Sequence, residues 1–191
     1  MISMVGPAKR AGVEAARGAV ALDADHTLQS ALWADDLKII DIQSVEVIAV
    51  SVPLDHVTSF STRTVSERHY CLVKVRSKDG HEGIGFCYVG SAAGELVKLA
   101  VEQLFAPKLI GQDSHRTEGI WQEMYTESIL QGRAGSVMRA ISILDIALWD
   151  LNAHSVNLPL HRYLGSYVND CVPAYASGGY YLDGKTPAKL G

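Results

Sequence analysis

One stretch near the C-terminus has the spacing of a phosphate-binding loop. Residues 179–186 read Gly-Tyr-Tyr-Leu-Asp-Gly-Lys-Thr, which satisfies the pattern G-x-x-x-x-G-K-[S/T]. A phosphate cradle needs small residues, because several backbone N–H groups must converge on the anion. Two tyrosines and a leucine are too bulky for such a cradle, and Asp183 would repel a phosphate. The stretch therefore does not predict nucleotide binding.

The other side chains that could act as acids, bases or metal ligands are dispersed. None of the seven histidines belongs to a His-x-x-x-His pair, and Pro159 separates His154 from His161. Asp145 and Asp150 lie on different sides of a predicted helix, which favours their interpretation as polar-network residues. No Gly-x-Ser-x-Gly elbow occurs. The sequence alone therefore predicts no complete catalytic group and no metal site.

The composition is that of an ordinary globular protein. Of 191 residues 48% are hydrophobic and 20% charged, and the formal net charge is -4, which disfavours nucleic acid or an anionic membrane as partner. No signal segment is visible, and the most apolar stretch, residues 140–149, contains Asp145 and is too short to span a bilayer. The sequence predicts a soluble, cytoplasmic protein, and its three cysteines are expected to be reduced.

Two of the cysteines fall on neighbouring predicted strands. Asp79-Gly80 is a signal for a two-residue hairpin loop. That register places Cys71 opposite Tyr88 and Leu72 opposite Cys87, so that the two thiols are expected on opposite faces of the sheet.

The predicted elements give an α+β fold. Strands are expected at 44–52, where Pro53 ends the first, at 67–77 and at 81–88, with residues 54–66 as a polar loop. Helices are expected at 92–105, at 113–130 behind an Asp113-Ser114 cap, and around 137–151, where apolar residues repeat at helical spacing. A three-stranded antiparallel meander covered by a three-helix bundle follows from this order. The pair Gly83 and Gly85 predicts a bulge or a close backbone approach.

Three domains or segments are predicted. Residues 1–40 form an N-terminal arm, residues 41–153 form the α+β domain, and residues 154–191 form a linker with the first β/α unit of an incomplete barrel. In the last segment a buried strand is expected at 171–177, and a helix begins at Thr186.

Three motifs stand out around the strongest predicted helix: Gly-Arg-Ala-Gly at 132–135, Arg-Ala-Ile-Ser-Ile-Leu-Asp-Ile-Ala-Leu-Trp-Asp-Leu at 139–151 and Leu-Pro-Leu-x-x-Tyr-Leu-Gly at 158–165. Together they resemble the helix before the barrel, and the segment after it, in the enolase superfamily, in its mandelate racemase/muconate lactonizing enzyme branch. Val-Pro-Leu at 52–54 and Asp-Gly-x-x-Gly-x-Gly at 79–85 extend the resemblance. The chain departs from the family pattern at Ala153-His154, where Gly-Lys is common, and at Asn157, where Gly is usual.

The resemblance implies an enolase-like capping domain over the mouth of a TIM-type (β/α) barrel. It implies a Mg²⁺-dependent enzyme that abstracts the proton α to a carboxylate, with base and metal ligands that follow later than residue 191. The chain alone is therefore expected to be inactive, with no catalytic or metal residue of its own. Homo-oligomers are the habit of the family.

A sugar-acid dehydratase is favoured within the family, because hydroxyl-bearing residues at 58–64 suit a polyhydroxylated substrate. A racemase or cycloisomerase is the alternative, and a non-catalytic, free-standing α+β interaction module is the hypothesis from another class. The enzyme hypothesis is favoured over the interaction module, because in a free-standing module the unpaired strand near the C-terminus would be an aggregation liability.

The resemblance also implies where substrate is bound. In the family the chain segments after the first and third strands close the pocket, so the predicted substrate-binding residues are His56, Phe60, Phe86, Tyr88 and Ser177. Two alternatives stay open at this point. Phe86 and Tyr88 share one face of a strand and could pack in the core, and His56 could be a solvated loop residue.

Overall fold

A computed structural model describes residues 39–60, 62–90, 92–165 and 173–175, together with residues 186 and 188. Its regular elements follow the chain as β1 (Ile42–Phe60), β2 (Arg63–Ser77), β3 (Glu82–Tyr88), α1 (Gly94–Ala100), a π-helical turn (Val101–Phe105), α2 (Ala106–Leu109), α3 (Thr117–Glu127), α4 (Gly135–Ser155) and α5 (Leu160–Tyr163). The order of strands followed by helices confirms the predicted α+β class.

The strands form an antiparallel sheet in the order β1-β2-β3, as the sequence predicts. In the second half of β2, from Cys71 to Ser77, every second side chain is buried, among them Val73 and Val75. This alternation arises because successive side chains of a strand point to opposite faces. The helices cover the face with the buried residues, and the other face is left open within the described part of the chain.

Beyond Pro53 the first two strands continue as a two-stranded ribbon. Thr58 pairs with Val65 and Phe60 with Arg63, so the prediction of a loop over residues 54–66 is wrong. A proline is tolerated in β1 because β1 is an edge strand. The polar residues are tolerated because the ribbon projects beyond the helical layer and needs no apolar face.

The helical layer closes the core over the sheet. α4 is the central helix, and its buried residues include Ile141, Leu144 and Leu148. The predicted helix at 92–105 is observed as α1 and the π-helical turn, and Pro107 lies within the first two positions of α2 instead of following the helix. A proline is acceptable there because the first N–H groups of a helix have no intrahelical partner.

Backbone contact between β3 and α4 explains the two glycines of the third strand. A Cβ atom at Gly83 would lie 2.1 Å from the carbonyl oxygen of Ala147, and one at Gly85 would lie 2.0 Å from that of Ile143. Both distances are far shorter than any ordinary contact. The predicted close backbone approach is therefore confirmed, and these glycines let the helix lie directly on the strand.

The start of α3 differs from the prediction. The helix begins at Thr117, and no side chain caps it. Asp113 instead accepts hydrogen bonds from the backbone N–H groups of Ile40 (3.2 Å) and His115 (3.1 Å). Ser114 is buried, where its hydroxyl donates to Oδ1 of Asn152 at 2.6 Å and its carbonyl accepts from Nδ2 of Asn152 at 2.9 Å. The two expected cap residues therefore tie α3 to the start of β1 and to α4.

One departure from the family pattern has a simple conformational reason. Asn157 has φ 55°, in the left-handed region, and glycine is the residue that adopts this region most easily. Asparagine tolerates it better than most other residues, because its short side chain can bond locally. Asn157 can therefore stand where the family usually has glycine.

Several predicted features fall mainly outside the described residues. Of the predicted arm only residues 39 and 40 are described, and Ile40 is buried in the core. Of the predicted strand at 171–177 only residues 173–175 are described, and they are exposed and belong to no strand. The barrel strand stays a prediction. Within the described ranges no helix is long and apolar enough to cross a membrane.

Candidate functional site

The segments that were expected to face substrate lie at one end of the sheet, where β3 ends and the β1–β2 ribbon begins; this end is called the substrate edge below. Since the strands are antiparallel, the end of β3 lies beside the base of the β1–β2 ribbon. The register shifts between Pro53 and Thr58, so residues 54–57 bulge out opposite Ser66 alone. His56 lies exposed in this bulge, in agreement with its reading as a solvated residue.

The backbone of Phe60 pairs with Arg63 at the tip of the ribbon, and Tyr88 ends β3. His56 in the bulge and Tyr88 at the end of β3 thus lie toward the same end of the strands, and Phe60 lies beyond them at the tip of the ribbon. Ser177 lies outside the described residues. That these residues bind substrate stays a prediction.

Phe86 and Tyr88 lie on the open face of the sheet, away from the helices. Phe86 is 61% exposed and pairs with Leu72, and Tyr88 is 48% exposed with its ring centroid 5.7 Å from that of Tyr70. Their alternative assignment to the core is therefore wrong. Phe86 also lies two residue pairs further from this edge than Tyr88, so Tyr88 is better placed to contact a ligand there.

Hydroxyl groups dominate the ribbon. The hydroxyls of Ser59 and Thr64 lie 3.1 Å apart, and the hydroxyl of Thr58 donates to the backbone carbonyl of His56 at 3.4 Å. Each hydroxyl can donate one hydrogen bond and accept two, so these side chains retain capacity for a ligand. Such an edge can bind a polyhydroxylated molecule, but it offers no arranged acid and base.

Three hydrogen-bonded side chains, which the sequence analysis did not predict, connect β1 and β2 at the base of the ribbon. The Ser51 hydroxyl donates to Glu67 at 2.6 Å, and Nε2 of His69 lies 2.9 Å from the other oxygen of Glu67. The hydrogen bonds from Ser51 and then from His69 hold the pKa of the Glu67 carboxyl below its usual value. The pairing of β1 with β2 brings Ser51 and Glu67 together, so no local sequence motif could have predicted these hydrogen bonds.

The helical layer holds the remaining carboxylates of interest. Asp145 lies in a cleft of about 590 Å³ between α3 and α4, which Trp121 and Trp149 also line. Burial raises the pKa of Asp145, and a hydrogen bond with Trp149 partly opposes that shift. Asp150 lies on another side of α4, where its Oδ2 accepts the backbone N–H of Ile84 at 2.9 Å. Both aspartates are thus held in polar networks, as predicted.

No group of three His, Cys, Asp or Glu side chains that could hold a metal ion occurs in the part of the chain that the structure describes. Asp145 and Asp150 lie on separate sides of α4, and Glu67 at the base of the ribbon is hydrogen-bonded to Ser51 and His69. Within the described residues, the ribbon and the end of β3 therefore offer hydrogen-bonding groups but no assembled metal site.

The two cysteines of the sheet contradict the predicted register. Cys71 lies directly opposite Cys87, so their side chains point to the same, helix-covered face. The reason is the loop: Ser77 N–H bonds to the carbonyl of His81 at 2.9 Å, which leaves three loop residues, and Gly80 takes φ 92°. A shift of one residue in a hairpin turns every side chain to the other face. Both thiols are free.

Alkaline pH should destabilise the fold through Cys71. Burial, followed by the neighbouring Cys87, raises the pKa of the Cys71 thiol from 9.0 to about 11. Below pH 9.0 the thiol is neutral in the folded and the unfolded state, whereas between 9.0 and about 11 the unfolded state alone loses the proton. Stability should therefore fall with rising pH in this window.

The measurement is urea unfolding at several alkaline pH values, with Cys71→Ala as control. The two proteins differ only at residue 71, so the contribution of the Cys71 thiol is the difference between the two curves. Parallel curves would contradict the prediction.

Comparison with known proteins adds the family. Residues 42–165 match the model of the mandelate racemase/muconate lactonizing enzyme N-terminal domain. The chain is 33% identical over 120 residues to an L-talarate/galactarate dehydratase of Salmonella typhimurium, and the match covers 63% of this chain and 30% of that protein. It is 37% identical over 106 residues to a 3,6-anhydro-alpha-L-galactonate cycloisomerase of Streptomyces coelicolor, covering 56% and 29%. The chain thus spans about a third of these curated relatives.

Solved structures agree with the sequence matches. The crystal structure of the Salmonella typhimurium L-talarate/galactarate dehydratase with Mg and L-lyxarohydroxamate superposes with a TM-score of 0.63 at 30% identity, over 67% of this chain and 34% of that one. The chain therefore belongs to the mandelate racemase/muconate lactonizing enzyme family, with residues 42–165 as its N-terminal domain.

Proposed function

We propose that residues 42–165 act as the capping domain of a Mg²⁺-dependent enzyme that removes water from a sugar acid. The observation that carries the proposal is the match to a dehydratase whose crystal structure holds Mg and a sugar-acid analogue. The hydroxyl-rich ribbon supports it, because a polyhydroxylated acid needs many hydrogen-bonding partners and few apolar ones.

The described residues would bind and orient the substrate and would carry out no chemical step. Among them no cluster of three metal-ligand side chains occurs, and we propose that the Mg²⁺ ligands, the acid and the base belong to residues outside those described. His56, Phe60 and Tyr88 would contact the substrate from the sheet edge, and Ser177 from the proposed first barrel strand. Phe86 is the least favoured of the predicted contacts, because it lies further from that edge.

The proposed reaction is the elimination of water across the α and β carbons of the acid. A base takes the α proton, the electron pair of that C–H bond forms the C=C bond, and the β-hydroxyl leaves with a proton as water. The enol that results becomes a 2-keto-3-deoxy acid. Enzymes achieve such steps by stabilising the negative charge that develops on the carboxylate oxygens.

Cycloisomerisation is the second candidate, because the chain is 37% identical to a cycloisomerase. That reaction also begins with a sugar-derived acid but releases no water. A non-catalytic interaction module remains the contrasting hypothesis. We also propose that the enzyme forms homo-oligomers, which light scattering would measure.

The test is an assay of the protein purified from the organism that produces it, here called the natural protein. Its intact mass is measured first. It is incubated with Mg²⁺ and a panel of aldonic and aldaric acids, and 2-keto products are detected with semicarbazide. In parallel, NMR in D₂O follows exchange of the proton at Cα. We expect a keto product from at least one acid.

The control is the 191-residue chain of 20.6 kDa alone, for which no turnover is expected. Isomerised product without a keto acid would replace dehydration by cycloisomerisation. Neither product nor Cα exchange with any acid would overturn the enzymatic proposal in favour of the module.

A further inference from the structure

Side chains of α4 bind the backbone along the free edge of β3. The three contacts are Ile84 N–H to Asp150 (2.9 Å), His154 Nδ1–H to the Glu82 carbonyl (2.7 Å) and Arg139 Nη1–H to the Tyr88 carbonyl (2.6 Å). Two of them hold the end of β3 next to the hairpin turn. Of these three side-chain contacts, that of Arg139 holds the opposite end of β3, which lies at the predicted substrate edge.

The Arg139 contact fixes the point at which β3 ends. Tyr88 is the last residue of the strand, Val89 is buried, and Gly90 takes φ 79° to turn the chain away. A hydrogen bond from a guanidinium to a carbonyl is stronger than a neutral one, because the donor is charged. Arg139 thus anchors the carbonyl of a residue that is predicted to contact substrate.

The anchored end is joined to the base of the ribbon through His69. The N–H of His69 donates to the carbonyl of Gly90 at 2.8 Å, and the N–H of Val89 donates to the carbonyl of His69 at 2.9 Å. The His69 ring in turn lies against Glu67, which Ser51 also binds. Displacement of the end of β3 would therefore disturb the ribbon as well.

We propose that Arg139 is a positioning residue for the substrate-facing edge of this domain. It does not touch substrate; it holds Tyr88 and, through His69, the base of the ribbon in the geometry that binds the acid. This inference rests on the proposed function for the identity of the ligand. The role of Arg139 in ordering the edge follows from the described contacts alone.

The test compares three variants of the full chain by hydrogen exchange of the backbone amides of residues 86–90. Arg139→Met keeps an apolar stem and loses the donors, whereas Arg139→Lys keeps a charged donor. Arg133→Met is the matched control, because Nε of Arg133 donates to the carbonyl of Tyr125 at 3.1 Å, away from the edge. We expect exchange to be about tenfold faster in Arg139→Met and unchanged in the control, with Arg139→Lys in between.

A kinetic comparison in the natural protein ties this ordering to substrate. For the acid that the wild type converts, Arg139→Met should raise KM about fivefold and change kcat less than twofold, because binding is lost and the reacting groups are untouched. Unchanged exchange in Arg139→Met, or equal acceleration in Arg133→Met, would overturn the positioning role. Faster exchange with an unchanged KM would overturn its link to substrate. A wild type that converts no acid is a failure of the proposed function, visible before any variant is compared.

Discussion

Replacing Gly85 by alanine should be among the most damaging small substitutions in this domain. The new Cβ would lie 2.0 Å from the carbonyl oxygen of Ile143 and 2.9 Å from its carbonyl carbon. Both atoms belong to the backbone of α4, which cannot rotate away as a side chain can. The helix would have to lift from the sheet, so we expect the free energy of unfolding to fall by about 3 kcal/mol or more. Urea unfolding followed by circular dichroism measures this loss.

Gly119→Ala is the matched control, since it adds the same methyl group to a helix. There the nearest atom to the new Cβ is the Arg116 Nη2 at 3.4 Å, an ordinary contact with a flexible side chain. Alanine in a helix is favoured over glycine by about 1 kcal/mol, so this variant should be as stable as the wild type or more stable. If both alanine variants lost the same stability, the close approach of α4 to β3 would not be its cause.

Phe105→Ala should have the second large effect. Phe105 is fully buried at the end of the π-helical turn, between α1 and α2. Truncation of a buried phenylalanine removes its burial and leaves a cavity, which together cost about 3–5 kcal/mol. The measurement is again the free energy of unfolding in urea.

Phe86→Ala supplies the comparison for that loss, because Phe86 is 61% exposed on the open face of the sheet. The variant loses the cross-strand contact with Leu72, so we expect the free energy of unfolding to fall by less than about 1 kcal/mol. A loss at Phe86 as large as at Phe105 would mean that the open face is covered in the protein.

The fold was predictable where short-range patterns determine it. The apolar repeat from Val137 to Leu151 predicts α4, and α4 is observed at Gly135–Ser155. The alternation along β2 likewise predicts a strand with one buried face. Each pattern is local, since a helix or strand must turn its apolar residues to one side.

Register and strand length were harder, because they depend on features with weak sequence signals. Asp79-Gly80 fits a loop of two residues or of three, and the choice decides which face carries Cys71 and Cys87. The extension of β1 beyond Pro53 depends on pairing with β2, since the residues of the ribbon have no apolar alternation.

The candidate site was predicted only at the level of segments. The family resemblance pointed to residues 56–64 and 86–88, and the structure places the ribbon and the end of β3 at one edge. The contact of Arg139 with Tyr88 joins residues 51 positions apart. No spacing rule connects such residues, so only the packed structure reveals it.

The two lateral edges of the sheet, formed by β1 and β3, differ in how open their backbone groups are to pairing with another strand. Side chains of α4 occupy the backbone groups of β3, whereas β1 has a strand neighbour on one side only within the described chain. Pro53 and the bulge after it interrupt β1, so its continuous ladder runs only along residues 44–53. Pairing of β1 with β1 of a second copy would use the open edge that the described residues present. Such pairing is complete with two copies, and α4 binds three backbone groups of β3 at the other edge of the described sheet, which disfavours the addition of a further sheet there.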